Sequence, residues 1–115
     1  MDTITRIGYN ADKSGFSFTE ESSTRTRCYY VMKGRVSVRE ASHIEHKLKK
    51  AVELGYTNVV INMCFVETLS SAGIRALLTM YKKFNDIGGS LQIENPSENV
   101  QNVLGLTALD ELLLK

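Results

Sequence analysis

The stretch Val59-Val60-Ile61-Asn62-Met63, followed after a brief connection by Leu69-Ser70-Ser71-Ala72-Gly73-Ile74-Arg75-Ala76-Leu77-Leu78, decides the fold. Its first part is a short apolar run rich in β-branched residues, the pattern of a buried strand covered by helices. Its second part begins an amphipathic helix. Two serines stand at the joint. Ser70 suits the N-cap, where a hydroxyl accepts a hydrogen bond from a backbone N–H one turn on. Ser71 then falls in the first turn. On spacing alone, a cap and its neighbour account for both residues. The other reading is a switch, because phosphorylation there places about two negative charges on a helix N-terminus at a surface.

The pattern extends in both directions. The helix runs from Ser71 to Asp86, with Ile74, Leu77, Leu78, Tyr81 and Phe84 as its apolar stripe, and Gly88-Gly89 stops it. A short strand, Ser90 to Glu94, comes next. Asn95-Pro96 is expected to open a third helix, with Asn95 as cap and proline at the first position. That helix buries Val100, Val103 and Leu104 and ends at Gly105. Thr107 is expected to cap a last helical turn, with Leu109, Leu112 and Leu113 folded onto the core. Upstream, Ala41, Ile44, Leu48, Ala51 and Val52 recur at helical spacing between Glu40 and Leu54, and Gly55 ends that helix.

The first 38 residues read as extended. Thr3 to Tyr9 and Phe16 to Thr19 alternate in part, and Cys28 to Met32 is richest in β-formers. Glu20 to Arg27 is a loop or the end of an edge strand. Lys33-Gly34-Arg35 marks a turn or bulge. Strands alternating with helices imply parallel β-α-β crossovers. The expected class is therefore α/β: a small mixed β-sheet, an N-terminal antiparallel hairpin plus parallel β-α-β units, with helices packed on it, in one domain over residues 1–115.

Composition narrows the function. With 115 residues, 43% hydrophobic and 23% charged, the chain has an ordinary globular make-up. A net charge of +1 gives no argument for nucleic acid or an anionic membrane. Cys28 and Cys64 lie far apart and form no Cys-x-x-Cys pair, which fits a reducing cytosol. No signal peptide is visible, and no apolar run approaches the roughly 18 residues of a membrane span, so a cytoplasmic protein is expected.

Catalytic patterns are missing. Neither common phosphate-cradling glycine loop occurs. Ser70 and Ser71 do not stand in Gly-x-Ser-x-Gly. His43 and His46 lie on the polar side of a lysine-rich helix and read as solvated. Lys47, Lys49 and Lys50 read as a solvated helix face, with partner docking as the alternative. No cofactor, metal or enzymatic activity is expected.

The layout and its motifs resemble the STAS domain, a family named for sulphate transporters and anti-sigma factor antagonists. The matching pieces are Val31-Met32-Lys33-Gly34-Arg35-Val36, Val59-Val60-Ile61-Asn62, Leu69 to Leu78, Tyr81-Lys82, Gly88-Gly89, Asn95-Pro96 and Val103-Leu104-Gly105-Leu106. The resemblance as a whole covers about residues 16 to 113. The resemblance implies a stand-alone bacterial anti-sigma factor antagonist, a non-enzymatic transcription regulator. Such a domain binds a serine-kinase-type anti-sigma factor and frees the sigma factor. The kinase phosphorylates a serine at the start of the second helix, and a PPM-type phosphatase restores it. Alignment of Gly73, Leu78 and Tyr81-Lys82 places that serine on Ser71, with Ser70 and Thr68 as alternatives. The implied partner surface comprises Ser37, Ser70, Ser71, Ala72, Gly73 and Arg75. Two departures stand out: Ser70 and Ser37 occupy positions where members often carry an acidic residue. The rival readings are a STAS scaffold or accessory module, in a signalling assembly or a lipid transport system, and a small-molecule-binding domain or enzyme of unknown chemistry.

Overall fold

The structure, a computed structural model, describes residues 15–114. The expected strand Thr3–Tyr9 lies outside the described residues. Four strands form one mixed sheet in the order β1 (Ser17–Ser23), β2 (Arg27–Val36), β3 (Asn58–Leu69), β4 (Ser90–Glu94). β1 and β2 pair antiparallel, while β2–β3 and β3–β4 pair parallel. Helix α1 (Val38–Glu53) crosses from β2 to β3, and α2 (Ser71–Asp86) from β3 to β4. α3 (Glu98–Leu106) and the short α4 (Asp110–Leu113) follow. This is the mixed α/β architecture that the sequence predicts.

The core follows the strand alternation. Cys28, Tyr30, Met32 and Val36 of β2 are buried, with Val59, Ile61 and Met63 of β3 and Leu91 and Ile93 of β4. α1 contributes Ile44, Leu48 and Ala51; α2 contributes Leu77, Met80 and Phe84. Val100, Leu104 and Leu113 complete the cluster.

Several expectations need correction. β3 extends to Leu69, so the connection expected after Met63 is strand. Its register against β2 slips twice, from Val31↔Asn62 to Lys33↔Phe65 and from Gly34↔Val66 to Arg35↔Thr68. Each slip leaves an extra residue on β3, which breaks the alternation and hides the strand from pattern reading. The irregularity placed at Lys33-Gly34-Arg35 is real, but the extra residues lie on the partner strand. Gly34 itself has φ +94°, and a Cβ there would stand 2.3 Å from the carbonyl oxygen of Gly15.

α3 begins two residues later than the proline pattern suggests, with Ser97 as N-cap in place of Asn95. The Ser97 hydroxyl accepts from Val100 N–H at 3.2 Å and donates to the Val66 carbonyl at 2.7 Å. Asn99 donates to the Glu67 carbonyl at 2.6 Å. These bonds cover the half of β3 that β4 is too short to reach. Thr107 closes α3 instead of opening α4: its hydroxyl donates to the carbonyls of Val103 and Leu104. Lys47 is not part of a solvated face. It is half-buried and donates to the Phe18 carbonyl at 2.7 Å, tying α1 to the edge strand. Burial pushes its pKa down.

Candidate functional site

Because β2 and β3 are adjacent and parallel, their C-terminal ends lie side by side. Val36 pairs with Leu69, the last residue of each strand. α1 therefore begins beside α2. The Ser70 N–H donates to the Val36 carbonyl at 2.9 Å and fastens one helix start to the other.

At the start of α2, the Ser70 hydroxyl accepts from Gly73 N–H at 3.1 Å, and the Ser70 carbonyl accepts from Ile74 N–H at 3.0 Å. Ser70 is the N-cap, and Ser71 is the first residue of the helix. Ser71 is exposed, whereas Ser70 and Ala72 are half-buried. Thr68 is exposed but belongs to β3, ahead of the helix.

At the start of α1, Ser37 is the N-cap and shares a capping box with Glu40. Glu40 Oε1 accepts from the Ser37 N–H at 3.1 Å and from the Ser37 hydroxyl. The Ser37 hydroxyl chiefly holds the Glu40 carboxyl below the usual carboxylate range, against the opposing effect of burial. Glu40 is the charged side chain that the described residues bury, at 6% exposure. Its charge is consumed inside the helix start and does not face outward.

Of the expected partner-surface residues, Ser37, Ser71 and Arg75 are exposed. Gly73 is buried and presents no surface. The α2 stripe is rotated from the expected Ile74–Leu78 face towards Gly73, Ala76, Leu77, Met80 and Phe84. A Cβ at Gly73 would stand 2.8 Å from Val36 Cγ1 and 2.9 Å from Leu69 Cδ1. Gly73 therefore lets α2 seat closely on the strand ends.

Four further residues frame this edge and were not singled out as site residues in the sequence: Arg35, Val38, Phe65 and Glu67. Val38 is 72% exposed and Phe65 56% exposed. Arg35 Nε lies 3.4 Å from Glu67 Oε1, and Lys33 Nζ lies 5.2 Å from the Phe65 ring centroid. The Gly-Arg step of β2 was the one available signal for Arg35. The exposure of Val38 and Phe65 follows from helix position and β-bulges, which apolar patterning does not report.

Among the described residues, no His, Cys, Asp or Glu side chains gather as a metal-ligand group, and no helix is long and apolar enough to cross a membrane. His43 is exposed and edge-on to Phe16.

Residues 19–115 match the STAS domain family. The chain belongs to that family. A Thermotoga neapolitana relative, described as a candidate anti-sigma factor antagonist, is 27% identical over 59 residues. That match takes in 51% of this STAS chain and 52% of the relative, so the chain spans about half the length of the curated relatives it matches. The fold is that of the anti-sigma factor antagonist SpoIIAA in its unphosphorylated form, with a TM-score of 0.76, 20% identity, and 84% of this chain and 85% of that one covered. The Bacillus cell fate determinant SpoIIAA in its phosphorylated form superimposes with a TM-score of 0.69, 19% identity, and 84% and 88% coverage.

Proposed function

We propose that this STAS domain is a cytosolic anti-sigma factor antagonist, switched by phosphorylation of Ser71. It binds a serine-kinase-type anti-sigma factor and thereby releases a sigma factor; the kinase ends binding by modifying Ser71, and a PPM-type phosphatase reverses it. The protein itself carries out no catalysis. The observation that carries the reading is an exposed serine at the first position of α2, its neighbour Ser70 already committed as cap. The family gives it context, and SpoIIAA is known in both unphosphorylated and phosphorylated forms.

Electrostatics supports a switch that leaves the fold alone. The N–H groups of Ser71 and Ala72 have no carbonyl one turn back to bond, and the helix dipole adds positive potential. A phosphate at Ser71 suits its own helix. The loss of binding arises at the partner, where a dianion enters a close interface and is desolvated or meets like charge.

The test uses the kinase-type anti-sigma factors of the same genome, purified and titrated against the STAS protein. Ser71→Ala retains binding and takes up no phosphate. Ser71→Asp weakens binding at least about tenfold, or ~1.4 kcal/mol, with the thermal midpoint nearly unchanged. Phosphopeptides mapped to Ser70 or Thr68 would move the site and keep the switch. If no anti-sigma factor binds and no residue is phosphorylated, the scaffold or lipid-transport reading replaces this one.

A further inference from the structure

The arginines near the two helix starts differ in the company they keep. Arg35 Nε lies 3.4 Å from Glu67 Oε1. Arg39, the second residue of α1, lies against the buried carboxylate of Glu40. Among the described residues, the ion pairs are Arg35–Glu67 and Lys49–Glu45, and Arg75 stands in neither. The neighbours of Arg75 one turn away along α2 are Ser71, Ala72, Leu78 and Thr79, and none of them is a carboxylate. The acid that α2 does carry, Asp86, is its last residue. Ser71 and Arg75 are both exposed. They are i and i+4 on one helix, which sets their Cβ atoms about 5–6 Å apart. A long side chain on a helix leans back towards the N-terminus, so Arg75 is directed over the turn that holds Ser71.

We propose that Arg75 is the receptor for a phosphate on Ser71 and holds it over the first turn of α2 by paired, charge-assisted hydrogen bonds. This rests on the antagonist reading for the phosphorylation itself and adds the residue that positions its product. The planar guanidinium fork meets two phosphate oxygens at once, which an ammonium does not.

The pairing has two consequences for the switch. A cation beside the phosphate favours its dianion over its monoanion, so the full charge is present at neutral pH. The bond also fixes where that charge stands, on the exposed side of α2. Arg75 thus acts on a partner through the phosphate, as a positioning residue, and α2 need not move. The helix start favours the dianion as well. That background is common to every variant below, so the share of Arg75 is read by difference.

The experiment needs no kinase. Phosphoserine is placed at position 71 during translation, and its second ionisation, ordinarily near pH ~6, is followed by phosphorus NMR. Arg75→Gln should raise the measured value by about 0.2–0.4 unit. Arg75→Lys should keep the greater part of the parent's lowering. Lys82→Gln, about 16 Å further along the helix axis, should leave the value unchanged. In about 1 M salt, where the Debye length is about 3 Å, the gap between parent and Arg75→Gln should narrow. The Arg75 Nε–H resonance of the parent should move with the phosphate's titration. With Ser71 unmodified, parent and Arg75→Gln should share one thermal midpoint. A phosphate titration identical in parent and Arg75→Gln overturns the proposal, and so does a value raised by Arg39→Gln and not by Arg75→Gln. The anti-sigma factor titration above tests the antagonist reading separately. If no anti-sigma factor binds while the phosphate titrates as expected, that reading fails and the assignment of Arg75 stands.

Discussion

Gly73→Ala sets helix propensity against packing, and the structure says which wins. In an isolated helix the change stabilises by about 0.5–1 kcal/mol. Here the new methyl group would lie 2.8 Å from Val36 Cγ1 and 2.9 Å from Leu69 Cδ1. Optimal carbon–carbon separation is about 3.5–4.0 Å, so both neighbours or the helix must yield by roughly 0.6–1.2 Å. Neither neighbour has room: Val36 is 1% exposed and Leu69 6%. Overpacking of this kind costs about 1–3 kcal/mol. The net effect is a destabilisation of about 1 kcal/mol, within a range of 0 to about 2.5. Urea unfolding followed by circular dichroism measures it, with the midpoint shifted and the slope unchanged. Val36→Ala in the same chain should recover part of the loss, giving a favourable coupling in a double-mutant cycle. A Gly73→Ala protein more stable than its parent by ~1 kcal/mol would refute the close seating of α2 on the strand ends.

Other expectations follow from the same helix starts. Ser70→Ala should cost about 1 kcal/mol, because Gly73 N–H loses its acceptor; an unchanged unfolding midpoint would count against the cap. The Glu40 carboxyl titrates below its unfolded value, so the stability it contributes is full above about pH 4.3 and disappears as pH falls through the lowered folded value. Glu40→Gln should therefore flatten the acid limb of stability against pH, and a limb identical to the parent's would exclude this contribution. Iodoacetamide should label the exposed Cys64 of the native protein and spare Cys28, whose burial pushes its thiol pKa up. Intact mass showing two labels before unfolding would contradict that burial.

The fold was legible because its elements carry strong, unmixed patterns. Val59-Val60-Ile61 is apolar on both faces, as a strand inside a parallel sheet should be. The helical repeats of α1 and α2 end at glycines. What was not legible arose where tertiary contacts override local chemistry. The second half of β3 is strand because β2 pairs with it through two bulges, and bulged strands lose their alternation. Asn95-Pro96 reads as a helix start, yet Ser97 takes the cap because its hydroxyl also reaches Val66 on β3. Lys47 reads as solvent-facing, and the Phe18 carbonyl draws it inward. At the candidate site, Ser70 as cap and Ser71 as exposed neighbour were readable from serine's preference for helix starts. The inward face of Gly73 was not, since a glycine carries no hydrophobic signal to mark the side that is buried.

The position of Ser71 is a consequence of topology more than of its own neighbours. A parallel crossover from β2 to β3, followed by another to β4, starts each helix at the C-terminal edge of its strand. Two adjacent parallel strands therefore deliver two helix N-termini to one edge, each with donors directed outward. The protein spends part of that capacity on itself: Ser70 takes Gly73 N–H, and Glu40 takes Ser37 N–H. These bonds fix both helix starts whether or not Ser71 is modified. A change of charge at Ser71 then meets a scaffold already satisfied without it. Its energetic effect falls on whatever approaches the edge, which is the condition for a surface switch whose two states share one fold.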